Sequence, residues 1–188
     1  MPIVPLETPR LRLRRFRPGD WPAVHAYAAD ADLMRYMGGG ALDEAGARAF
    51  AATNAGDEAE AVAVTVKPDD RPIGHMLFHP WYAPRTYEIG WVLDRPSHGR
   101  GYATEAAAAL LRHGFETLSL HRVIATCQPE NPASARVMEK LGMRREGWFR
   151  QCIARDDGTW WDEWFYALLA EEWFARERDR TNPGTAAM

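Results

Sequence analysis

The amino-acid sequence predicts a mixed α/β sheet with flanking helices, and three observations lead to that fold class. The middle of the chain contains consecutive strand patterns separated by turn signals, which is typical of antiparallel hairpins. The second half contains a strand–helix–strand pattern, which favours some parallel pairing in the same sheet. The 188 residues, of which 46% are hydrophobic and 26% charged, fit one globular domain with a sizeable core. We therefore do not expect a doubly wound parallel sheet.

The first half of the chain predicts one strand, two helices and three further strands. Leucine alternates with arginine over residues 11–16, as on a half-buried strand. Asp20 and Asp43 are of a residue type that caps helices, and glycines at 38–40 separate the two helices that they begin. Three strand patterns with turn signals between them follow, at residues 61–66, 73–81 and 87–93.

The second half predicts a helix, a strand, a second helix and two strands. Alanine and leucine recur at helical spacing over residues 103–118, and residues 122–127 are rich in β-branched types. Asn131, which is followed by proline, begins the next helix, and Gly142 ends it. Two strand patterns complete the order, at residues 143–154 and 160–169.

Charge and hydropathy argue against several classes of protein. The net charge is −3 and the isoelectric point is near 6.1, which argues against a broad nucleic-acid-binding face. No apolar run approaches the length of a membrane span and the chain start lacks a secretory signal, so we expect no membrane partner and a cytoplasmic location. We expect one domain over residues 1–175 and, because of its charge, proline and glycine, a flexible tail over residues 176–188.

Metal and disulfide chemistry lack a supporting pattern. Cys127 and Cys152 do not have the spacing of a metal-ligand pair, and nothing requires a disulfide between them. His75 and His79 are four residues apart, but they fall on a predicted strand, so they do not share a helical face. We therefore expect no metal ion.

A glycine-rich turn between a predicted strand and a predicted helix is the main candidate for a binding site. Its sequence is His-Gly-Arg-Gly-Tyr-Ala-Thr, over residues 98–104. Gly99 and Gly101 permit positive φ and leave the backbone bare, so that successive N–H groups can converge on an anion at the positive end of the helix dipole. Arg100 adds a mobile cation. The expected ligand is a diphosphate.

Three phosphate-binding motifs contain such glycines, and a plain turn that docks a helix is a fourth explanation. A P-loop requires Gly-Lys-Ser/Thr at a spacing that the sequence lacks, and a dinucleotide fingerprint requires glycine where Thr104 stands. The third motif, Gln/Arg-x-x-Gly-x-Gly/Ala, belongs to the GNAT acetyltransferase superfamily, and residues 98–103 resemble it. His98 stands in place of the usual Gln or Arg, which affects the first side chain but not the backbone cradle.

Further segments resemble the GNAT superfamily, in the same order along the chain. Residues 131–143 resemble its asparagine-led helix, with Met143 in place of an aromatic residue. The segments that resemble the RimJ/RimL branch are the opening Leu-Glu-Thr-Pro-Arg-Leu-Arg-Leu-Arg at residues 6–14, the strand at residues 87–93 and the C-terminal part at residues 157–173. The chain is therefore similar to RimJ/RimL-like N-acetyltransferases over most of its length.

The resemblance implies a GNAT fold, in which a mostly antiparallel sheet splays at the cofactor site, with acetyl-CoA as the cosubstrate. The central strand is implied to separate from the strand that follows the glycine-turn helix, and its backbone then bonds the pantetheine arm. Asn131 is implied to contact the pantetheine or the adjacent phosphate, although Asn-Pro is also a good helix start without any ligand. The implied cofactor-binding residues are Trp91, Val92, Leu93, His98, Gly99, Arg100, Gly101, Tyr102, Ala103, Thr104, Asn131, Ser134 and Arg136.

The reaction implied by the family is direct attack of a neutral amine on the acetyl thioester. It needs a base for the amine, hydrogen-bond donors for the oxyanion and an acid for the thiolate. Glu88, on the central strand, is the implied base. Many family members carry a tyrosine as the acid where this chain has Met138, so Ser134 is the substitute candidate for the catalytic acid. Glu88 can equally be a solvated or paired carboxylate, and Ser134 a small residue that allows close packing.

The acceptor site is implied to border the central strand, with Tyr36, Trp81 and Glu88 as candidate substrate-binding residues. Large aromatic side chains are dense between residues 148 and 165, which fits an acceptor groove, a dimer face or the core. Acidic residues of the same segment, Glu163 among them, fit either attraction of a cationic acceptor or plain solvation.

Two classes of function follow, an enzyme and a binding protein. The first is an N-acetyltransferase of the RimJ/RimL type, which acts on a protein N-terminus, as of a ribosomal protein, or on a small amine. The second is a non-catalytic acyl-CoA-binding sensor or scaffold with the same fold, which the absence of a tyrosine at Met138 mildly favours. A nucleotide-binding enzyme is a third hypothesis, which predicts protection by ATP or NAD rather than by coenzyme A. The resemblance also leaves a homodimer open.

Overall fold

The structure, a computed structural model, describes residues 5–155 and 157–181, without the side chains of residues 180 and 181. Within these ranges, eight strands form one sheet in the order β1-β2-β3-β4-β5-β6-β8-β7. The strands are β1 Leu6–Glu7, β2 Leu11–Arg14, β3 Ala61–Val66, β4 Pro72–Pro80, β5 Thr86–Leu93, β6 Arg122–Cys127, β7 Arg144–Ala154 and β8 Trp160–Leu169.

Helices cover parts of both faces of this sheet. They are α1 Trp21–Ala28, α2 Ala31–Met34, α3 Glu44–Thr53, α4 Tyr102–Arg112, α5 Pro132–Leu141 and α6 Ala170–Thr181. Short 3-10 turns precede α1 and α4, at Pro18–Asp20 and Arg95–Ser97, and a π-helical turn at His113–Thr117 follows α4 directly. In the part of the chain that the structure describes, no helix is both long and apolar enough to cross a bilayer.

The pairing of the strands confirms the predicted mixed sheet. The consecutive strands β3, β4 and β5 form antiparallel hairpins. Strands β5 and β6, which α4 connects, are parallel, as the strand–helix–strand pattern predicts. Strand β8 lies between β6 and β7 and is antiparallel to both. The chain therefore forms the edge strand β7 first, and β8 then inserts between β7 and β6.

The parallel pair β5 and β6 separates along its length. Pairing begins at Thr86 with Arg122 and ends at Glu88 with Ile124. Beyond Glu88, β5 continues to pair with β4 as far as Leu93, whereas β6 continues to pair with β8 as far as Cys127. The sheet therefore opens into a V between the C-terminal halves of β5 and β6, as the resemblance implied.

Two apolar clusters lie on opposite faces of the sheet. The cluster on the α4 side includes Leu110 of α4, Met138 of α5 and the β6 residue Val123, each essentially inaccessible to solvent. The cluster on the other side packs α1 and α3 against β3 and contains Val24 and Ala47. Helices α1 and α3 cover only the first part of the sheet, so the same face is only partly covered over β6, β8 and β7.

The helix ends show which predicted caps form. The Asp43 carboxylate accepts a hydrogen bond from the backbone of Gly46, and Gly142 ends α5 with φ of 77°. The prediction that Asp20 caps the first helix is wrong, because its carboxylate makes no hydrogen bond to the α1 backbone. The Asp20 carboxylate instead accepts hydrogen bonds from the Arg17 N–H and from the buried guanidinium of Arg14. The bond to the charged Arg14 takes the place of a bond to the helix backbone.

Helix α6 differs from the sequence expectation of a flexible tail. Residues 176–181, which we expected to be irregular, continue the helix that starts at Ala170. The helix is held by Trp173, which is buried and stacks on Phe115, and by Arg176, whose guanidinium donates to the Leu141 carbonyl (2.9 Å). One buried aromatic among many charges gives too weak a helical period to predict. Residues 182–188 of the expected tail lie outside the described residues. The short elements α2 and β1 were not predicted as separate elements.

Candidate active site

The glycine turn has the backbone conformation that its sequence predicts. Gly99 and Gly101 have φ of 73° and 79°, in the left-handed region, and Gly101 directly precedes the first residue of α4. A Cβ atom built on Gly99 would meet no atom within 4 Å, so the turn presents bare backbone to open space. The first N–H groups of α4 have no partner within the helix, and they carry its positive dipole end. The turn is therefore suited to bind an anion.

His98 bonds the protein itself. Its Nε2 atom lies 2.8 Å from the carbonyl oxygen of Leu93, the last residue of β5. Because a carbonyl oxygen only accepts, Nε2 must carry the proton in this contact. The side chain thus ties the glycine turn to the end of β5, which is a structural use for the residue that departs from the family motif. Its predicted contact with the cofactor stays a prediction.

The start of α5 lies at the same edge of the sheet as the glycine turn. Strands β5 and β6 are parallel, so the helices that follow them both begin beside the open end of the V. The side-chain oxygen of Asn131 caps α5 by accepting from the Ser134 N–H (3.2 Å). Ser134 is half-buried in the first turn of α5, and Arg136 is exposed. The opening is therefore flanked by two helix N-termini.

The predicted pantetheine-binding residues line one arm of this opening. Trp91, Val92 and Leu93 pair with β4 on one side of β5, and the sheet uses none of their backbone groups on the β6 side. Backbone N–H and C=O groups are obligatory hydrogen-bonding groups, so an extended chain lying in the V would satisfy those that remain once His98 has bonded the Leu93 carbonyl. A pantetheine arm carries two amides and fits that description.

A cavity of about 650 Å³ lies on the exposed face of the sheet, beside the point where β5 and β6 separate. Four strands and the loop between β4 and β5 contribute to it. The residues that line it are Trp81, Tyr82, Ala83, Thr86, Glu88, Arg122, Ile124, Thr126, Phe149, Cys152, Glu163 and Phe165. The predicted acceptor residues Glu88 and Trp81 are therefore brought together.

Glu88 is the last residue of β5 that pairs with β6, at the apex of the V. Its side chain is partly buried, and burial raises its pKa above the ordinary value for a glutamate. The nearby positive charge of His79 opposes that rise, and the negative charge of Glu163 adds to it. A carboxylate with a raised pKa holds a proton more readily, which suits a group that must take one from an amine.

Aromatic rings form the walls of the cavity. The ring of Trp81 lies 5.5 Å from that of Phe165, and Phe149 lies 5.9 Å from Phe165 in an edge-to-face arrangement. The guanidinium of Arg122 lies 6.0 Å from the centre of the Phe165 ring, and both of its terminal nitrogens donate to Glu146. Because Arg122 is paired, the two lining carboxylates Glu88 and Glu163 give the cavity a negative character.

A bulge in β7 places a cysteine in the cavity. Gln151 has φ of 49°, and its N–H donates to the carboxylate of Asp162, which also accepts from the indole of Trp148 (2.7 Å). The bulge brings the Cys152 thiol to the carbonyl oxygen of Phe149 (3.6 Å), at the wall of the cavity, and partial desolvation raises the pKa of this thiol. A bulge has no clear sequence signal, which explains why Cys152 was not predicted as a site residue.

Tyr36, the third predicted acceptor residue, is not among the described residues that line the cavity. Its hydroxyl donates to the carbonyl of Glu130 (3.0 Å), and its ring packs on that of Trp161 (5.3 Å). Trp161, Glu163 and Phe165 alternate on β8, so Trp161 shares the face that carries the cavity. Tyr36 thus joins the loop after α2 to the loop before α5, at the border of this face.

Metal ligands do not cluster in the residues that the structure describes. Within them, no three His, Cys, Asp or Glu side chains come together in a group that fits a metal ion. The groups that this site offers are backbone N–H, carboxylate, hydroxyl and thiol. They suit acyl transfer by proton movement and hydrogen bonding.

A splayed mixed sheet, with a glycine turn at the open end and an acidic cavity at the apex, defines an acyltransferase fold of the GNAT type. The sequence matches the family described as "Acetyltransferase (GNAT) domain" over residues 10–144. The chain therefore belongs to the GNAT acetyltransferase family.

Individual relatives agree with this assignment. The chain is 48% identical over 168 residues to the uncharacterized N-acetyltransferase YnaD of Bacillus subtilis, covering 89% of this chain and 98% of the relative. A crystal structure of a GNAT-family acetyltransferase from Bacillus anthracis is 46% identical, with a TM-score of 0.85 over 90% of this chain and all of that one. The protein is an N-acetyltransferase.

A more distant structure shares the fold. RimL, a ribosomal L7/L12 α-N-protein acetyltransferase in complex with coenzyme A, is 19% identical, with a TM-score of 0.77 over 90% of this chain and 99% of that one. At this identity the likeness concerns the arrangement of the sheet and helices alone.

Proposed function

We propose that the protein transfers an acetyl group from acetyl-CoA to a primary amine, by direct attack in a ternary complex. The observation that carries this proposal is the separation of β5 and β6 directly beyond Glu88, with the glycine turn at the open end. The pyrophosphate binds the backbone of residues 98–104, and the pantetheine arm runs along Trp91, Val92 and Leu93. The thioester then reaches the cavity at Glu88.

The amine enters from the cavity side as an ammonium ion. The negative charges of Glu88 and Glu163 attract it, and Trp81 and the phenylalanines of the cavity contact its apolar part. Glu88 takes one proton, and the neutral nitrogen attacks the thioester carbonyl. Backbone N–H groups at the start of the V stabilise the oxyanion. A new N–C bond forms as the C–S bond breaks, and the electron pair leaves on sulfur. The nitrogen loses its second proton as the amide forms, which balances the proton that the thiolate gains.

The thiolate of coenzyme A must then be protonated or otherwise stabilised. Ser134 is half-buried in the first turn of α5, where its hydroxyl and the helix N-terminus both favour a negative charge. We propose Ser134 as the donor to the departing thiolate. Tyr36 supports the acceptor side by fixing the loop before Asn131 through its bond to Glu130.

A protein or peptide α-amine is the acceptor class that the site supports best. An α-amino group has a pKa of about 7.8 and a lysine about 10.4, so freeing the lysine nitrogen at neutral pH costs about 3.5 kcal/mol more. A single partly buried carboxylate suits the easier deprotonation.

An acceptor screen tests the proposal. Peptides with different N-terminal residues, together with lysine-blocked peptides and small amines, are incubated with acetyl-CoA, and the products are identified by mass. We expect acetylation of at least one α-amine, and none when that α-amine is blocked. Binding of coenzyme A without any product across the panel would instead favour the sensor. A homodimer and a cytoplasmic location stay predictions, which light scattering and cell fractionation test.

A further inference from the structure

The glycine turn is held from outside by a residue of the neighbouring loop. Arg10 precedes β2, far from the turn in sequence, yet its Nη1 donates to the carbonyl oxygen of Arg100 (3.0 Å). Its guanidinium also lies 4.7 Å from the centre of the Tyr102 ring, and its Nη2 is the atom nearest to a Cβ built on Gly101. Arg10 therefore contacts the middle of the turn, at Arg100, Gly101 and Tyr102.

A carboxylate of α4 fixes Arg10 in this position. The Nε and Nη2 atoms of Arg10 each lie 2.6 Å from Oε2 of Glu105, while the Arg10 backbone N–H donates to Oε1 (3.0 Å). The hydroxyl of Thr8 donates to the same Oε1 (2.6 Å). Burial alone would raise the pKa of Glu105, but these hydrogen bonds hold it below the ordinary value. The carboxylate therefore stays ionised, and the Arg10 side chain cannot swing freely.

The hydrogen bond from Arg10 to the Arg100 carbonyl determines the direction of the Gly101 N–H group. The carbonyl of Arg100 and the N–H of Gly101 belong to one planar trans peptide, in which the two groups point in opposite directions. Because Arg10 holds the carbonyl, the Gly101 N–H is turned to the other side. The turn also has open space at Gly99, where a built Cβ would meet no atom within 4 Å, and we place the diphosphate there.

We propose that Arg10 is a positioning residue, which orients the glycine turn for the pyrophosphate of coenzyme A and acts through the Arg100 carbonyl. This inference rests on the proposed function. Its charge is neutralised by Glu105, so its effect comes from the geometry of the turn rather than from direct attraction of the phosphates. Arg10 thus serves the nucleotide end of the donor and leaves the thioester chemistry at Glu88 untouched.

The test compares a donor that has the pyrophosphate with one that lacks it. The dissociation constants of coenzyme A and of pantetheine are measured by calorimetry for the wild type, Arg10→Gln and the control Arg12→Gln. Arg12 lies on the adjacent strand, is similarly exposed and makes a comparable ion pair with Glu7 (2.6 Å), but it does not contact the turn. With an accepted amine, kcat and KM are also measured for acetyl-CoA and S-acetylpantetheine.

We expect Arg10→Gln to weaken coenzyme A binding about tenfold, the effect of misplacing one charge-assisted hydrogen bond, with pantetheine binding within about twofold of the wild type. KM for acetyl-CoA rises while kcat at saturation is kept, and Arg12→Gln changes neither donor. Equal losses for both donors would mean a general loss of structure and would overturn the proposal. An unchanged coenzyme A affinity would overturn it as well.

A second variant guards against poor folding of Arg10→Gln. Glu105→Gln keeps an acceptor for Thr8 and the Arg10 N–H but removes the charge that fixes the guanidinium. We expect a selective loss of affinity for coenzyme A, smaller than that of Arg10→Gln. An equal loss of affinity for pantetheine would count against the proposal. If the wild type binds neither compound, the proposed function fails together with this inference. If the wild type binds coenzyme A and both variants bind it with unchanged affinity, this inference alone fails.

Discussion

A methyl group at Gly99 separates the anion-binding role of the turn from its structural role. Gly99→Ala places a Cβ where no protein atom lies within 4 Å, so the folded state suffers no clash. The remaining cost is the left-handed φ of 73°, which an alanine adopts at a cost of about 1 kcal/mol. For a chain of this size, we expect the melting temperature to fall by about 2–4 °C.

Gly158 provides a matched control outside the glycine turn. It lies in the turn between β7 and β8 with φ of 80°, and a Cβ built there also meets no atom within 4 Å. Gly158→Ala therefore carries the same backbone strain, and we expect the same loss of melting temperature. Any difference between the two variants in ligand affinity comes from the location of the methyl group.

Affinity for coenzyme A is the quantity that should differ. In Gly99→Ala the methyl group occupies space that a phosphate oxygen needs, and losing one hydrogen bond to a charged group costs about 2 kcal/mol, which is about thirtyfold in the dissociation constant. Calorimetric titration with coenzyme A measures this. We expect Gly158→Ala to bind as the wild type does. Equal affinities of the two variants would refute the assignment of the cradle to this turn.

Three further predictions concern electrostatics and the acceptor wall. Because the charge of Glu163 raises the pKa of Glu88, we expect Glu163→Gln to lower that pKa and to move the acidic limb of the kcat/KM profile to lower pH. An acidic limb that stays in place or moves to higher pH would contradict this coupling. The control is Glu44→Gln. Burial lowers the pKa of His75 to about 4, so protonation favours the unfolded chain as pH falls. Urea unfolding should show a loss of about 2 kcal/mol from pH 7 to pH 5, and a smaller loss in His75→Gln; equal losses would contradict it. Phe149→Ala should raise KM for the amine and leave coenzyme A binding unchanged, whereas a change in coenzyme A affinity would argue against separate sites.

The local features of the donor site are predictable from sequence because they are contiguous. Positive φ at Gly99 and Gly101 follows from residue type and spacing, and the Asn131 cap follows from a short motif. The V between β5 and β6 is not predictable in the same way. No periodicity within either strand shows where pairing between them stops, so this feature was available only through the resemblance to GNAT proteins.

The acceptor cavity depends on long-range pairing and was therefore predicted only in part. Glu88 was identified, but Arg122, Thr126 and Cys152 were not, because they come together only when β8 inserts between β6 and β7. Phe149 gave a sequence signal that fits a groove, a dimer face or the core equally. Strand order decides between these, and a strand's own residues do not encode it.

The turnover of Glu88→Gln tests the central claim most directly, that this cavity is the place where the amine loses its proton. The substitution keeps the size of the side chain and removes its basicity, and Glu88 lies at the apex of the V, whereas the glycine turn lies at its open end. With an amine found in the acceptor screen, thiol release and coenzyme A affinity are measured for both proteins. We expect coenzyme A to bind within about twofold of the wild type and turnover to fall by about a hundredfold or more. Wild-type turnover in Glu88→Gln across the pH range would contradict the account.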